Sequence, residues 1–173
     1  ISIKAHKILK TKYNNLLSVI IPRHVERSNE LVEMFNHHNL NVHCHSWKSK
    51  IPEKTDIYLV DTYGETEKFF NLIKIVFVGG SFVDHGGQNP LEPVRHGCFV
   101  LYGPYVNNFK NIYDYLDKIK LSKKVSNIQN LNKKIKILFK NKSKSKIVVR
   151  KVKKFGNKIL IKTIKEIEKE LNK

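Results

Sequence analysis

Sulfur is scarce in this sequence: two cysteines, Cys44 and Cys98, and one methionine in 173 residues. Two cysteines cannot staple a disulfide scaffold, and they fit a reducing compartment. Long apolar runs are missing; none approaches the ~20 residues that a membrane-spanning helix needs. Residues 1–15 are lysine-rich and lack the continuous apolar stretch of a signal peptide. Neither GxxxxGK[ST] nor GxGxxG occurs, which excludes a Walker loop and the dinucleotide fingerprint. Ser81 lacks the GxSxG surroundings of a nucleophile elbow, so no Ser-His-acid set can be assigned. No CxxC or HExxH spacing exists either. His37, His38, His43 and His45 gather near Cys44, but His43 and His45 alternate as on a strand. Surface or edge histidines are the expected reading, and no metal site is expected. Cys98 enters an apolar run and is expected in the core. Ile1, not Met, opens the sequence, and the chain is expected to be a fragment of a longer protein.

Acidic residues are also few, 15 against 33 Lys and Arg, for a net charge of +18. The imbalance is local. Residues 1–117 carry a net charge of +1 and residues 118–173 a net charge of +17. That basic segment contains one arginine, Arg150, and two aromatics, Phe139 and Phe155. Nucleic-acid binders use arginine for bidentate contacts and aromatics for stacking, so a solvated lysine face or an anionic membrane surface fits better than nucleic acid.

At 40% apolar residues the chain can bury a core, and its length suits one domain. The spacing predicts helices over 3–12, 26–39, 64–73 and 90–96. Pro90 falls in the first turn of the last of these, where proline is tolerated. Between them lie strand-like runs at 16–21, Val42–Trp47, Ile57–Val60, Ile75–Val78 and Phe99–Tyr102, of which Val42–Trp47 alternates apolar and polar and the others are short apolar runs. Apolar runs alternating with helices mark strands buried on both faces of a parallel sheet. No Asn-Gly or Asp-Gly pair joins two of these runs, which argues against antiparallel hairpins. The expected fold is α/β, a Rossmann-like doubly wound parallel sheet over 1–117. A basic, helix-only segment of the same domain is expected over 118–173. Ile128, Leu131, Ile135 and Leu138 should line one helix face there. Leu160, Ile164, Ile167 and Leu171 should line another, with a break at Gly156 and an exposed loop at 142–146.

In open α/β sheets ligands bind beyond the carboxyl ends of the strands. Pro22-Arg23-His24 follows the first run, and Asp61-Thr62-Tyr63-Gly64-Glu65 follows the third. Gly79-Gly80-Ser81 and Gly86-Gly87-Gln88-Asn89-Pro90-Leu91-Glu92-Pro93 follow the fourth. These polar and glycine segments are expected to converge on one edge. Gly79, Gly80 and Ser81 would let backbone approach a ligand, and Gly86 and Gly87 lead into a helix start suited to phosphate. Arg23 offers a planar cationic fork for the same anion. From position alone, Glu92 complements the helix dipole or accepts from ribose hydroxyls.

These four segments, with Gly103-Pro104 and Asn108-Phe109-Lys110, resemble the bacterial 3-deoxy-D-manno-octulosonic acid (Kdo) transferases. The resemblance covers the chain and is strongest over 19–113. It implies the C-terminal, donor-binding half of a GT-B glycosyltransferase, which moves Kdo from CMP-Kdo to a lipid A precursor. It also implies inversion, no metal or cofactor, and work at the cytoplasmic face of the inner membrane. CMP contacts would come from Pro22 and Arg23, from Tyr63, Gly64 and Glu65, and from Asn89, Pro90, Leu91 and Glu92. The resemblance thus favours the binding role of Glu92. Gly79, Gly80, Ser81, Gly86 and Gly87 would form a phosphate loop. The family's N-terminal half, which holds the lipid acceptor and the glutamate general base, has no counterpart here. Neither does the donor domain's first strand with its Thr-His-x-Gly-Glu-Glu motif. Catalytic residues are therefore not expected in this chain. Gln88 stands where the family usually has His, and Tyr63 where Met is common. Two other readings remain: a non-catalytic basic binding module, and a decayed gene fragment.

Overall fold

The computed structural model describes residues 1–84, 86–140 and Lys169. Among the described residues six α-helices and six strands follow one another. They are α1 (Ser2–Lys10), β1 (Ser18–Ile20), α2 (Ser28–His37), β2 (Val42–Cys44), β3 (Ile57–Leu59), α3 (Thr66–Leu72), β4 (Ile75–Phe77), α4 (Leu91–Arg95), β5 (Phe99–Tyr102), α5 (Lys110–Lys118), β6 (Ser122–Lys124) and α6 (Ile128–Lys140). Every strand pair is parallel, the arrangement expected of apolar runs alternating with helices. The calls over 142–146, Gly156 and Leu160–Leu171 lie outside the described residues. No described helix is long and apolar enough to cross a membrane.

The chain divides into two compact units. The first comprises Ile1–Phe69 with Ser126–Phe139, and the second is built on Phe70–Val125. In the first, β3 lies between β1 and β2, with Val19 opposite Tyr58 and His43 opposite Tyr58 on the other side. Phe35, Leu40 and Ile57 form its core, with Ile3, Ile20, Leu31 and Val42 against them. Leu31 and Phe35, four residues apart, put the apolar stripe of α2 on that core. In the second unit β5 lies between β4 and β6, with Val76 opposite Val100 and Leu101 opposite Lys123. Its core includes Val78, Val94, Val100, Tyr102, Val106, Tyr113, Leu116 and Leu121.

Three helices stop in the same way. After α2, Asn39 takes φ 55°, its N–H donates to Asn36 O at 2.8 Å, and the Leu40 N–H donates to Phe35 O at 3.1 Å. After α4, Gly97 and Cys98 repeat the pattern onto Val94 O and Pro93 O, both at 3.0 Å. After α5, Lys120 and Leu121 repeat it onto Asp117 O and Leu116 O, at 3.0 and 2.9 Å. This is the Schellman closure, and the apolar residues at its two ends, Phe35 with Leu40 and Leu116 with Leu121, belong to the same core in each case. Each closure satisfies helix-end carbonyls and turns the chain toward the next strand.

Two expectations need correction. The run Val42–Trp47 is a strand only to Cys44; His45–Trp47 is a 3-10 turn, so His43 and His45 do not alternate along one strand. Residues beyond 118 are not helical throughout, because β6 pairs with β5. Its sequence, Ser-Lys-Lys, has no apolar run to announce it. Main-chain bonds define it: Val100 N–H to Leu121 O at 3.1 Å and Val125 N–H to Tyr102 O at 2.8 Å. The buried apolar residues Leu121 and Val125 flank the strand instead of filling it. On α6, Leu131 is buried and Ile128, Ile135 and Leu138 are half-buried, the face expected from spacing.

Candidate functional site

Parallel strands place all the loops that follow them at one end of their sheet, so each unit gathers its own candidate residues. In the first unit Pro22 is half-buried behind β1 and Arg23 is exposed. Among the described residues no hydrogen bond or ion pair claims the Arg23 guanidinium. Arg27, four residues on, is committed: its Nε and Nη2 donate to the two oxygens of Glu30 at 2.9 and 2.6 Å. Tyr63, 69% exposed, reaches from the loop after β3 and donates its hydroxyl to Glu26 Oε2 at 3.1 Å. That bond brings the segments after β1 and β3 together. Gly64 takes φ +78°, a left-handed turn that explains the glycine between Tyr63 and Glu65. Glu65 is half-buried, with Lys68 Nζ 2.6 Å from Oε2. The Lys68 ammonium holds its carboxyl below the ordinary glutamate range. Asp61 anchors the start of the loop by accepting from Ser46 N–H at 2.8 Å and Ser46 Oγ at 2.5 Å.

In the second unit the segment after β4 is drawn against the segment after β5. Ser81 is fully buried; its hydroxyl donates to Val78 O at 2.6 Å and accepts the Gly103 N–H at 2.8 Å. Tyr105 N–H donates to Ser81 O at 2.9 Å. The serine is thus occupied inside the fold, and what Gly79-Gly80-Ser81 offers a ligand is backbone. A Cβ on Gly80 would stand 2.8 Å from Gly86 O, so the two glycine stretches touch each other. Asn108 Nδ2 donates to Gly87 O at 2.8 Å and the Tyr113 hydroxyl to Gln88 O at 3.0 Å, fixing the path into α4. Asn89 Oδ1 accepts the Leu91 N–H at 3.0 Å. Pro90 and Pro93 have no N–H, so the first turn of α4 leaves the Glu92 amide as its uncommitted donor. The Glu92 side chain is exposed. Cys98 is buried, its thiol within 3.3 Å of Phe70 O and Ile73 O, and burial pushes its pKa up to about 11.

Sequence reasoning missed one group. His43 is 2% exposed and stacks on Tyr58 with ring centroids 5.6 Å apart. His45 Nδ1 lies 2.8 Å from the Tyr58 hydroxyl, and its Nε2 lies 4.0 Å from Glu65 Oε2. Counting spacings for a metal could not find this, because the partners are a tyrosine and a glutamate from β3 and the loop after it. Among the described residues no cluster of His, Cys, Asp and Glu has the arrangement of a metal site.

No protein-family model matches the chain. Individual proteins do. The 3-deoxy-D-manno-octulosonic acid transferase of Haemophilus influenzae is 36% identical over 119 residues, 69% of this chain and 28% of that protein. The transferase of the same name from Aquifex aeolicus is 33% identical over 120 residues, 68% of this chain and 32% of its own length. The chain therefore spans about a third or less of these relatives. Among solved structures, the C-terminal CMP-Kdo binding domain of WaaA from Acinetobacter baumannii superposes with a TM-score of 0.78 at 27% identity, covering 88% of this chain and 79% of that one. On sequence and fold together, the chain belongs with the 3-deoxy-D-manno-octulosonic acid transferases, as a counterpart of their C-terminal region.

Proposed function

We propose that the chain is the donor-binding part of an enzyme that transfers Kdo from CMP-Kdo to a lipid A precursor. The observation that supports this most is the agreement in fold with a CMP-Kdo binding domain, at 27% identity over 88% of the chain. In this reading each unit, taken by itself, offers candidate CMP contacts: Pro22, Arg23, Tyr63, Gly64 and Glu65 in the first, and Asn89, Pro90, Leu91 and Glu92 in the second. CMP departs as a phosphate monoester, so negative charge builds on its phosphate. An uncommitted arginine and preset backbone N–H groups stabilise developing charge without reorganising. Arg23 has the free guanidinium, and the glycine stretches with the Glu92 amide have the backbone donors. The acceptor hydroxyl needs a general base. The reading assigns that base, and the lipid acceptor site, to a part of the enzyme outside this sequence. It places the enzyme peripherally at the cytoplasmic face of the inner membrane.

Calorimetric titration with CMP, with UMP as control, tests the reading. Selective CMP binding is expected. Arg23→Ala and Glu92→Ala should each weaken it by about 1–3 kcal/mol, the cost of losing a charged hydrogen bond. Unchanged affinity in both variants would overturn the site assignment. The reading assigns no metal or cofactor to the chain, so a chelator is expected to leave CMP affinity unaltered; loss of binding in EDTA that added Mg2+ restores would contradict it.

A further inference from the structure

We propose that His45 is a positioning residue for Glu65, holding that carboxylate by one oxygen so that the other is left for a donor group of the bound nucleotide. The inference rests on the reading that the turn of Tyr63 to Glu65 contacts CMP. It starts from the place where β2 ends. The chain leaves the sheet at Cys44 and turns through His45–Trp47, which carries the His45 ring away from the strand line. There the ring meets Phe69 edge-on, centroids 5.3 Å apart, and Tyr58 edge-on at 5.9 Å. These contacts set the ring plane, and the Tyr58 hydroxyl sets its chemistry. Burial pushes the Tyr58 phenol above its ordinary range, with the Asp61 charge adding to the effect, so its oxygen keeps a proton to give. In this proposal the hydroxyl donates to Nδ1 at 2.8 Å, which puts the hydrogen of the neutral imidazole on Nε2.

That nitrogen faces Glu65. At 4.0 Å from Oε2 the contact is electrostatic, longer than a hydrogen bond. Lys68 Nζ sits 2.6 Å from the same oxygen. The Lys68 ammonium and the His45 ring N–H both lie toward Oε2, a buried oxygen with no well-aligned hydrogen bond of its own. Oε1 is thereby left to accept from a ligand hydroxyl or amino group. The neighbouring residue acts on the same loop: Ser46 holds Asp61 through its N–H and its hydroxyl. Two consecutive residues of one turn thus grip the two ends of the loop from Asp61 to Glu65. The titratable groups against the ring are Tyr58 from β3 and Glu65 from the loop, with Asp61 acting on Tyr58 and Lys68 from α3 on Glu65.

A double-mutant cycle on CMP affinity, in the full chain, tests the inference. His45→Phe keeps the ring contacts and removes both nitrogens, so a purely packing role would survive it. It should weaken CMP binding roughly fivefold to tenfold, within the range of coupled neighbours. His45→Gln, which retains a side-chain N–H donor, should recover most of that loss. Adding His45→Phe to Glu65→Gln should cost nothing further, because the histidine acts through the carboxylate. Independent, multiplying losses would overturn the proposal. A second readout needs no ligand: nitrogen NMR of the His45 ring should show the Nε2–H tautomer in the neutral form. The Nδ1–H tautomer would also overturn it. If the wild-type chain binds no CMP, the donor-site reading falls and the nucleotide role of His45 falls with it. The ring nitrogens would still decide whether His45 faces Glu65 as described.

Discussion

At the scale of single residues, the first unit is pinned by a charged knot under its sheet. His6 is 2% exposed; its Nδ1 lies 2.8 Å from Ser18 Oγ and its Nε2 lies 3.5 Å from Asp56 Oδ1. Lys10 donates to the same Asp56 oxygen at 2.5 Å, and Asn41 N–H donates to the other at 2.9 Å. α1, β1 and the entry to β3 thus meet on one carboxylate. Desolvation holds the His6 pKa below its ordinary 6.5, outweighing the pull of Asp56. Burial alone would raise Asp56, but the bonds from Lys10 and Asn41 outweigh it and lower the value from 3.8. Both folded values are depressed, so the unfolded chain binds more protons and stability drops as pH falls. The His6 contribution is present above 6.5 and is lost as pH falls through the folded value; the Asp56 contribution follows below 3.8. The urea midpoint is therefore expected to begin dropping near pH 6.5 and to drop again below pH 4. His6→Gln should remove the upper limb and leave the lower one. A midpoint flat from pH 7 to 5 in the wild type would contradict this. None of this was legible in the sequence, where His6, Ser18 and Asp56 are far apart and carry no spacing signal. The candidate site was more legible, since motif order and residue type named Arg23, Glu65 and Glu92. The role of Ser81 was not, because its burial depends on the Gly103 amide 22 residues away.

At the scale of elements, the apolar runs read correctly because a parallel strand covered on both faces leaves an uninterrupted apolar signature. The strand β6 escaped because an edge strand needs only backbone pairing on one side, and its lysines are exposed. The helix ends were legible only where glycine marked them. Gly97 after α4 has φ 84°, the usual closure, but Asn39 and Lys120 fill the same left-handed position after α2 and α5. Asparagine tolerates that geometry. Lysine pays a steric cost between Cβ and the following carbonyl, on the order of 1 kcal/mol. Lys120→Gly is therefore expected to stabilise the chain despite the greater freedom of glycine when unfolded, by a net of about 0.5–1 kcal/mol. Lys120→Val should destabilise it, since a β-branched residue fits the left-handed region worst. Denaturant melts of the three proteins check the order; a glycine variant less stable than wild type would show that the Lys120 side chain contributes something its backbone geometry does not reveal.

At the scale of the whole molecule, charge is the feature that the proposed nucleotide site does not use. The excess of +17 lies in residues 118–173, while residues 1–117 are nearly neutral. Within the described part, Lys123, Lys124, Lys133 and Lys140 are exposed and Lys134 and Lys136 half-buried. Exposed lysines gain about 1 kcal/mol each near an anionic leaflet, and that gain decays over a Debye length. If the proposed reading holds and the acceptor is a membrane lipid, such a surface would serve the enzyme. The same charge would attract nucleic acid, but lysine is a point charge and a segment with one arginine lacks planar forks for phosphate and base. The chain is therefore expected to cosediment with phosphatidylglycerol vesicles at about 50 mM salt and to be released by about 0.5 M, where screening is nearly complete. Phosphatidylcholine vesicles should not retain it, and CMP should not displace it, because the basic segment and the proposed nucleotide contacts are different residues. Retention on neutral vesicles would point to apolar insertion instead. Single-stranded DNA that binds more tightly than the anionic vesicles at equal salt would favour the basic binding module over the membrane reading.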